Sequence, residues 1–202
     1  MPPKELSPRH AQMRIRIAQL AAQLMLEHGI RDYGLAKRKA ARQLGAPESH
    51  SLPGNDEIEA ALKAHQALYR PDEHKTILRA LREQALAVLQ SFARFDPVLV
   101  GGVLNGTASR HSDIEIELYA DSSKDFEHHL LNEGIAFKVK DRGGHQVYLL
   151  YAEPADVWVR ILPPESRHAA GRGRQDGPRR MNAKQLAALL QAEATADPID
   201  PT

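Results

Sequence analysis

The stretch VLVGGVLNGTASRHSDIEIEL, residues 98–118, decides the fold of this chain. A short apolar run, Val98–Val100, stops at the glycine pair Gly101-Gly102, and ten residues later an alternating strand begins. Alternation with period two predicts one apolar face and one face that carries the carboxylates of Asp113, Glu115 and Glu117. Carboxylate oxygens suit hard divalent cations, and glycine lets backbone N–H groups approach a phosphate. The stretch therefore predicts a site for a metal and a phosphate.

The spacing of these residues resembles the signature of the DNA polymerase β-like nucleotidyltransferase superfamily, and in particular its minimal members. That signature runs from a hydrophobic residue and a Gly-Gly or Gly-Ser pair, across about ten residues, to alternating acidic and hydrophobic positions. This chain matches it with Gly101-Gly102 and Asp113-Ile114-Glu115-Ile116, and Gly106-Thr107-Ala108 falls where small members often have such residues. Glu115 departs from the pattern, because Asp is commoner there. The resemblance implies an α+β fold built around a small mixed sheet.

The resemblance also implies roles for individual residues. Gly101 and Gly102 would hold the phosphates of a nucleoside triphosphate. From their place in the same stretch, Ser109, Arg110 or Ser112 are candidates for further donors, and the alternative for Arg110 is a solvated side chain. Two Mg²⁺ ions would be bound by Asp113, Glu115 and a third acid on a later strand. The implied reaction is in-line attack of an acceptor hydroxyl on the α-phosphate, with release of pyrophosphate.

Asp156 is the candidate for the third acid. It opens a β-branched strand, Asp156–Ile161, in which Asp is otherwise disfavoured. The alternative is that Asp156 only belongs to the turn Glu153-Pro154-Ala155. The family pattern favours the metal-binding role.

Composition limits the remaining possibilities. With 202 residues, of which 42% are hydrophobic, we expect one compact domain with an appendage or two small domains. The absence of cysteine excludes disulfides and thiolate metal sites. No apolar segment is long enough to span a membrane, so the expectation is a soluble cytoplasmic protein without a membrane partner. The sequence leaves the oligomeric state open.

Periodicity and turn residues divide the chain into three parts. We predict a helical region over residues 1–93, a nucleotidyltransferase-like α/β core over 94–165, and an Arg/Gly/Pro-rich segment with a short helix over 166–202. The first region is predicted to hold four helices, over residues 8–28, 32–44, 55–69 and 72–92. In the core, a helix over 122–132 and strands over 136–140, 146–151 and 156–161 follow the motif, with a turn at residues 141–144.

Charge is distributed unevenly along the chain. Residues 96–150 carry nine acidic and five basic residues, whereas residues 1–50 carry nine basic and four acidic ones. A second predicted helix concentrates basic side chains at Lys37, Arg38, Lys39 and Arg42. An acidic site with basic neighbours favours RNA or tRNA as the acceptor and makes these four residues candidate nucleic-acid contacts. The alternative, which is the commoner case for a basic helix face, is that they are ordinary solvated surface.

Three functions fit these features. The first is an active, Mg²⁺-dependent nucleotidyltransferase. The second is a protein that keeps this fold without catalysis and binds nucleic acid or regulates, to which Glu115 in place of Asp gives some weight. The third is a DNA-binding helical protein in which the α/β part acts as a sensor.

Overall fold

The computed structural model describes residues 8–46, 52–69, 71–142, 145–169 and 180–196. By its internal contacts the chain divides into two compact units, Met1–His74 and Lys75–Thr202. The domain boundaries that the sequence placed after residues 93 and 165 stay predictions, because a division by contacts and a division into separately folding parts are different properties.

The first unit is built from three helices, α1 (Pro8–His28), α2 (Tyr33–Gln43) and α3 (Asn55–Tyr69). Their bounds match the sequence predictions to within a residue or two. The Asp32 side chain caps α2 by accepting a hydrogen bond from the Leu35 amide. The apolar sides of the helices form a core of their own, which includes Ile17, Ala21, Leu24, Ala36, Ala40, Ile58 and Leu62.

The second unit contains a mixed sheet of five strands in the order β1-β2-β5-β4-β3. The strands are β1 (Val98–Val100), β2 (Ile114–Tyr119), β3 (Phe137–Arg142), β4 (His145–Leu150) and β5 (Val157–Leu162). β2 and β5 are parallel, and the other neighbouring pairs are antiparallel. This arrangement confirms the predicted α+β class. It also sets the motif strand β2 beside β5, the strand that begins after Asp156.

Helices pack on one side of this sheet. The longest is α4 (Pro71–Ser91), and a single 3₁₀ turn, Ala93–Phe95, leads from it to β1. α6 (Ser123–Asn132) is capped by Ser122. α8 (Ala183–Ala196) begins with a reciprocal pair of hydrogen bonds between Asn182 and Gln185. Their buried side chains form one core with the apolar face of β2, including Leu81, Leu89, Phe92, Phe126, Leu130, Leu186, Ile114, Ile116 and Leu118.

One local prediction was wrong. The strand β3 continues through Asp141 and Arg142, which the sequence assigned to a hairpin turn. Pairing with β4 extends the strand into residues whose local preferences favour a turn. The residues after β1 form a short helix, α5 (Gly101–Asn105).

The Arg/Gly/Pro-rich segment predicted to begin at residue 166 is described only in part. Its first residues, Ser166–Ala169, form one helical turn, α7. Residues 170–179 and the predicted frayed end from 197 lie outside the described residues. Within the described ranges, no helix has the length and apolar character needed to cross a bilayer. The cytoplasmic location stays a prediction.

Candidate active site

The two motif carboxylates lie on the same face of the sheet. Glu115 is within β2, Asp113 directly precedes it, and both are half-buried. Glu115 is paired with Val100 of β1 and with Trp158 of β5, and residues directly paired across strands share a face. We call this side, with Asp113, Glu115 and Glu117 on β2 and Trp158 and Arg160 on β5, the carboxylate face.

Asp113 is held by a residue of the neighbouring strand. The indole Nε1 of Trp158 donates a hydrogen bond to Asp113 Oδ2 at 2.8 Å. An indole N–H can only donate, so its natural partner is an ionised carboxylate oxygen. The contact fixes the orientation of the Asp113 side chain at the edge of the carboxylate face.

Glu115 packs directly on the first glycine of the pair. Gly101 has φ +73°, and a Cβ at this position would lie 2.5 Å from Glu115 Oε2. A side chain at this position would be strained by the backbone conformation, and the Glu115 carboxylate would have to move to admit it. A Cβ on Gly102 would meet nothing closer than Thr107 Oγ1 at 3.4 Å. The structure thus joins one half of the motif, the glycine pair, to the other half, the acidic strand.

Hydrogen bonds within the segment stabilise the loop between α5 and β2. The amides of Thr107 and Ala108 both donate to the Gly102 carbonyl, at 2.9 and 3.1 Å. Ser109 and Ser112 hydrogen-bond to each other, the Ser109 amide donating to Ser112 Oγ at 2.9 Å and the Ser112 amide to Ser109 O at 3.0 Å. Arg110 is exposed. The two serines therefore shape the loop, and their role and that of Arg110 as phosphate donors stay predictions.

A buried arginine of α4 binds the short helix that carries the glycine pair. Arg82 is buried, and its guanidinium donates to the carbonyls of Val103 and Leu104 at 3.2 and 3.3 Å. These carbonyls belong to α5, so Arg82 satisfies acceptors that the short helix leaves without partners. Arg82 also forms an ion pair with Glu193 of α8. The glycine pair is therefore tied to two long helices through one buried cation.

Asp156 lies beside Asp113 through its backbone. The Ile114 amide donates to the Asp156 carbonyl at 2.9 Å, which begins the parallel pairing of β2 and β5. The Asp156 side chain accepts a hydrogen bond from the Ala152 amide at 3.4 Å, a contact within the preceding turn. That turn is anchored by Gln84 of α4, which exchanges two hydrogen bonds with the backbone of Ala155. The side-chain contact fits the turn alternative, and the metal-binding role of Asp156 stays a prediction.

The residues present fit a divalent cation in donor type. Across the described part of the chain, no group of three His, Cys, Asp or Glu side chains is arranged so that it could hold a metal ion. Mg²⁺, however, is usually bound by one or two carboxylates together with waters and substrate phosphates. Asp113 and Glu115 supply two such carboxylates on one face, next to the glycine pair.

Glu117, the third acidic residue of the motif, is buried and paired with arginines. It is only 7% exposed and forms ion pairs with Arg160 at 3.1 Å and Arg180 at 2.7 Å. Tyr119 follows on the same face, with the guanidinium groups of Arg167 and Arg180 within 5.2 and 5.5 Å of its ring centre. Burial raises the pKa of the Tyr119 phenol. This end of the face is therefore filled by arginine pairs, away from the glycine pair.

Replacing Glu117 with Gln is expected to lower the free energy of unfolding by about 2 kcal/mol, since it leaves the partly buried Arg180 and the exposed Arg160 without their counter-charge. Urea unfolding followed by circular dichroism measures the loss. Glu133→Gln, at an exposed carboxylate after α6, serves as the control and should change stability by less than about 0.5 kcal/mol. Equal stability of the two variants would contradict the pairing.

The four predicted nucleic-acid contacts lie on α2 of the first unit. Lys37 is half-buried, and its ammonium donates to Pro53 O at 2.9 Å and Asn55 Oδ1 at 3.0 Å. Lys37 therefore joins α2 to the start of α3. Arg38, Lys39 and Arg42 are exposed. The role of these residues in binding nucleic acid stays a prediction.

Trp158, Arg82 and Gln84 were missed from the sequence as residues that position the site. Alternation in the strand did place Trp158 on one face with Asp156. Its bond to Asp113 depends on the parallel register of β2 and β5, which alternation does not give. Arg82 and Gln84 lie in a regular helix and carry no local signal.

Comparisons with known proteins give structural matches. No protein-family model and no curated protein matches the chain. The Cid1 poly(U) polymerase bound to MgGTP matches with a TM-score of 0.34 and 16% identity, over 59% of this chain and 38% of that one. A cytoplasmic RNA terminal U-transferase matches with a TM-score of 0.33 and 18% identity, over 59% of this chain and 34% of that one. This chain thus covers little more than a third of the length of these proteins.

Proposed function

We propose that this chain is a Mg²⁺-dependent nucleotidyltransferase that moves a nucleoside monophosphate from a nucleoside triphosphate to an acceptor hydroxyl, with RNA as the acceptor class. The observation that carries the proposal is the contact between Glu115 and Gly101. It brings a carboxylate suited to a cation against a backbone suited to a phosphate, with Asp113 on the same face.

Asp113 and Glu115 are the residues that would hold the metal, in the two-ion arrangement that the sequence resemblance implies. When bound, Mg²⁺ would neutralise phosphate charge and lower the pKa of the attacking hydroxyl. The chain's own part is to position the groups. Trp158 orients the Asp113 carboxylate, Arg82 fixes the helix that carries Gly101, and backbone amides at the glycine pair would bind phosphate oxygens.

Transfer of label to RNA tests the proposal. The chain is incubated with Mg²⁺, single-stranded RNA and each nucleoside triphosphate in turn, labelled on the α- or on the γ-phosphate. We expect the α-label to enter RNA with release of an equal amount of pyrophosphate, and chelation of Mg²⁺ to stop the reaction. The γ-label should stay in pyrophosphate, because the bond that breaks joins the α- and β-phosphates. Entry of the γ-label into the acceptor, or no transfer with any triphosphate, would contradict the proposal.

A second candidate is a protein of this fold that binds nucleic acid or regulates without catalysis. The feature that favours it is Glu115, which stands where Asp is commoner in the family pattern. Calorimetry with a non-hydrolysable nucleoside triphosphate separates the two candidates. Binding that requires Mg²⁺ supports the enzyme, and RNA binding without any nucleotide binding supports the second candidate.

A further inference from the structure

We propose that the carboxylate face extends into a platform that binds a single-stranded polynucleotide, in which Trp158 and Tyr151 stack on bases and Lys138 and Lys140 contact phosphates. This inference rests on the proposed function, because it names where the acceptor strand of that reaction lies. No sequence motif indicated these four residues.

The strand register places the platform beside the carboxylates. Trp158 of β5 is paired with Leu149 of β4, which is paired with Lys138 of β3. In the same way Arg160 is aligned with Val147 and then Lys140. Directly paired residues share a face, so both lysines lie on the carboxylate face. The platform therefore begins at Trp158, whose Nε1 contacts Asp113, and extends to the edge strand β3.

Each aromatic ring of the platform is covered by its own lysine. Lys140 Nζ lies 5.0 Å from the centre of the Trp158 ring, and Lys138 Nζ lies 5.4 Å from the centre of the Tyr151 ring. Both lysines are exposed, Tyr151 is 52% exposed, and Trp158 is half-buried. Contact with Tyr151, chiefly a side-chain hydrogen bond, raises the pKa of Lys138 above its ordinary value.

Two apolar residues of β4 lie between these groups. Val147 and Leu149 are 6% and 5% exposed, and neither belongs to the core on the helical side of the sheet. Each is flanked on the carboxylate face by the residues paired with it on β3 and β5. Aromatic rings with cations beside them are the combination with which proteins bind single strands, through base stacking and phosphate contacts.

The presence of two pairs, each of an aromatic ring and a lysine, decides which ligand the platform fits. One nucleotide offers one base, whereas two ring and lysine pairs can take successive nucleotides. In a duplex the faces of the bases are already stacked, so a single strand is required. The lysine side chains are long and flexible, and a base can replace each ammonium over its ring while the ammonium moves to a phosphate. A strand bound in this way passes directly beside Asp113.

The test uses the fact that Trp158 is the only tryptophan of the chain. An RNA oligomer of mixed sequence, about 12 nucleotides long, is titrated without Mg²⁺ and without nucleoside triphosphate. We expect it to quench tryptophan fluorescence with the midpoint that anisotropy of the labelled RNA gives. A nucleoside monophosphate should quench at least about tenfold more weakly, and a duplex should not quench.

Variants of the exposed residues separate the contribution of the lysines to binding from that of the tyrosine ring. Lys138→Ala with Lys140→Ala should weaken binding about tenfold and reduce the slope of log K against log salt by about 1.4, which corresponds to two phosphates on a single strand. Tyr151→Ala should weaken binding about tenfold with the slope unchanged. Lys124→Ala, on the exposed side of α6, is the matched control and should change neither value.

Three results would overturn the inference. They are quenching by the monophosphate with the midpoint of the RNA, RNA binding that Lys138, Lys140 and Tyr151 do not affect, and the absence of quenching by RNA. The proposed function fails separately, since transfer of the α-label can be absent while this binding is present. Conversely, transfer to an acceptor without quenching by RNA would support the reaction and contradict the platform.

Discussion

Replacing Asp113 with Asn is expected to lower the rate of α-label transfer by about 10²- to 10³-fold, because a neutral amide removes one of two charges that face a cation and a triphosphate. The amide oxygen can still accept the hydrogen bond of Trp158 Nε1, so the fold should be retained. Initial rates at saturating nucleoside triphosphate, together with the melting temperature, separate the loss of chemistry from a loss of structure. Glu115→Gln should behave in the same way.

Asp125→Asn is the matched control for this substitution. Asp125 is an exposed carboxylate in the first turn of α6, away from the carboxylate face. The variant removes the same charge and should keep the full rate. If Asp113→Asn retained more than a tenth of the rate while folded, the assignment of the motif carboxylates would be wrong.

Gly101→Ala is expected to lower the free energy of unfolding by about 2–4 kcal/mol, the largest effect on stability that we predict. The left-handed backbone alone costs about 1–2 kcal/mol for a residue with a Cβ. The new methyl group would lie 2.5 Å from Glu115 Oε2, so the carboxylate must also move. We therefore expect label transfer to fall with stability. Urea unfolding and the transfer assay measure the two effects.

Substitutions at two other glycines separate the cost of the left-handed backbone from the cost of the contact with Glu115. Gly134 has φ +66°, and a methyl group added there would have nothing within 4 Å, so Gly134→Ala should show the backbone cost alone. Gly102 has no positive φ, and its nearest contact would be at 3.4 Å, so Gly102→Ala should be the mildest of the three. If Gly101→Ala and Gly134→Ala were equally destabilising and equally active, the contact with Glu115 would have no consequence.

Helix ends were predicted well because their signals are local. The Asp32 and Ser122 side chains each accept a hydrogen bond from an amide two or three residues away, and such a bond depends on nothing else in the chain. Strand ends were less accurate. Alternation marks which side a residue faces, but the pairing with a neighbouring strand decides where a strand stops, as in β3.

The candidate site likewise contains residues with a local sequence signal and residues that only the tertiary structure brings in. Its carboxylates and glycines could be found from spacing, because both halves of the motif lie within one stretch, residues 98–118. The bond between Trp158 and Asp113 joins residues 45 positions apart, and the bonds of Gln84 to Ala155 join residues 71 positions apart. Pairs this distant meet only after the sheet has formed.

The sequence by itself determined the fold class, the helices and the identity of the motif residues, because periodicity and capping act over a few residues. Only the tertiary structure decided what surrounds the motif. The parallel register of β2 and β5 brought Trp158 to Asp113 and Arg160 to Glu117. The antiparallel registers of β3, β4 and β5 aligned two lysines of β3 with the carboxylate face. The physical reason is that a register between strands is a property of the whole sheet, which no single stretch of the chain encodes.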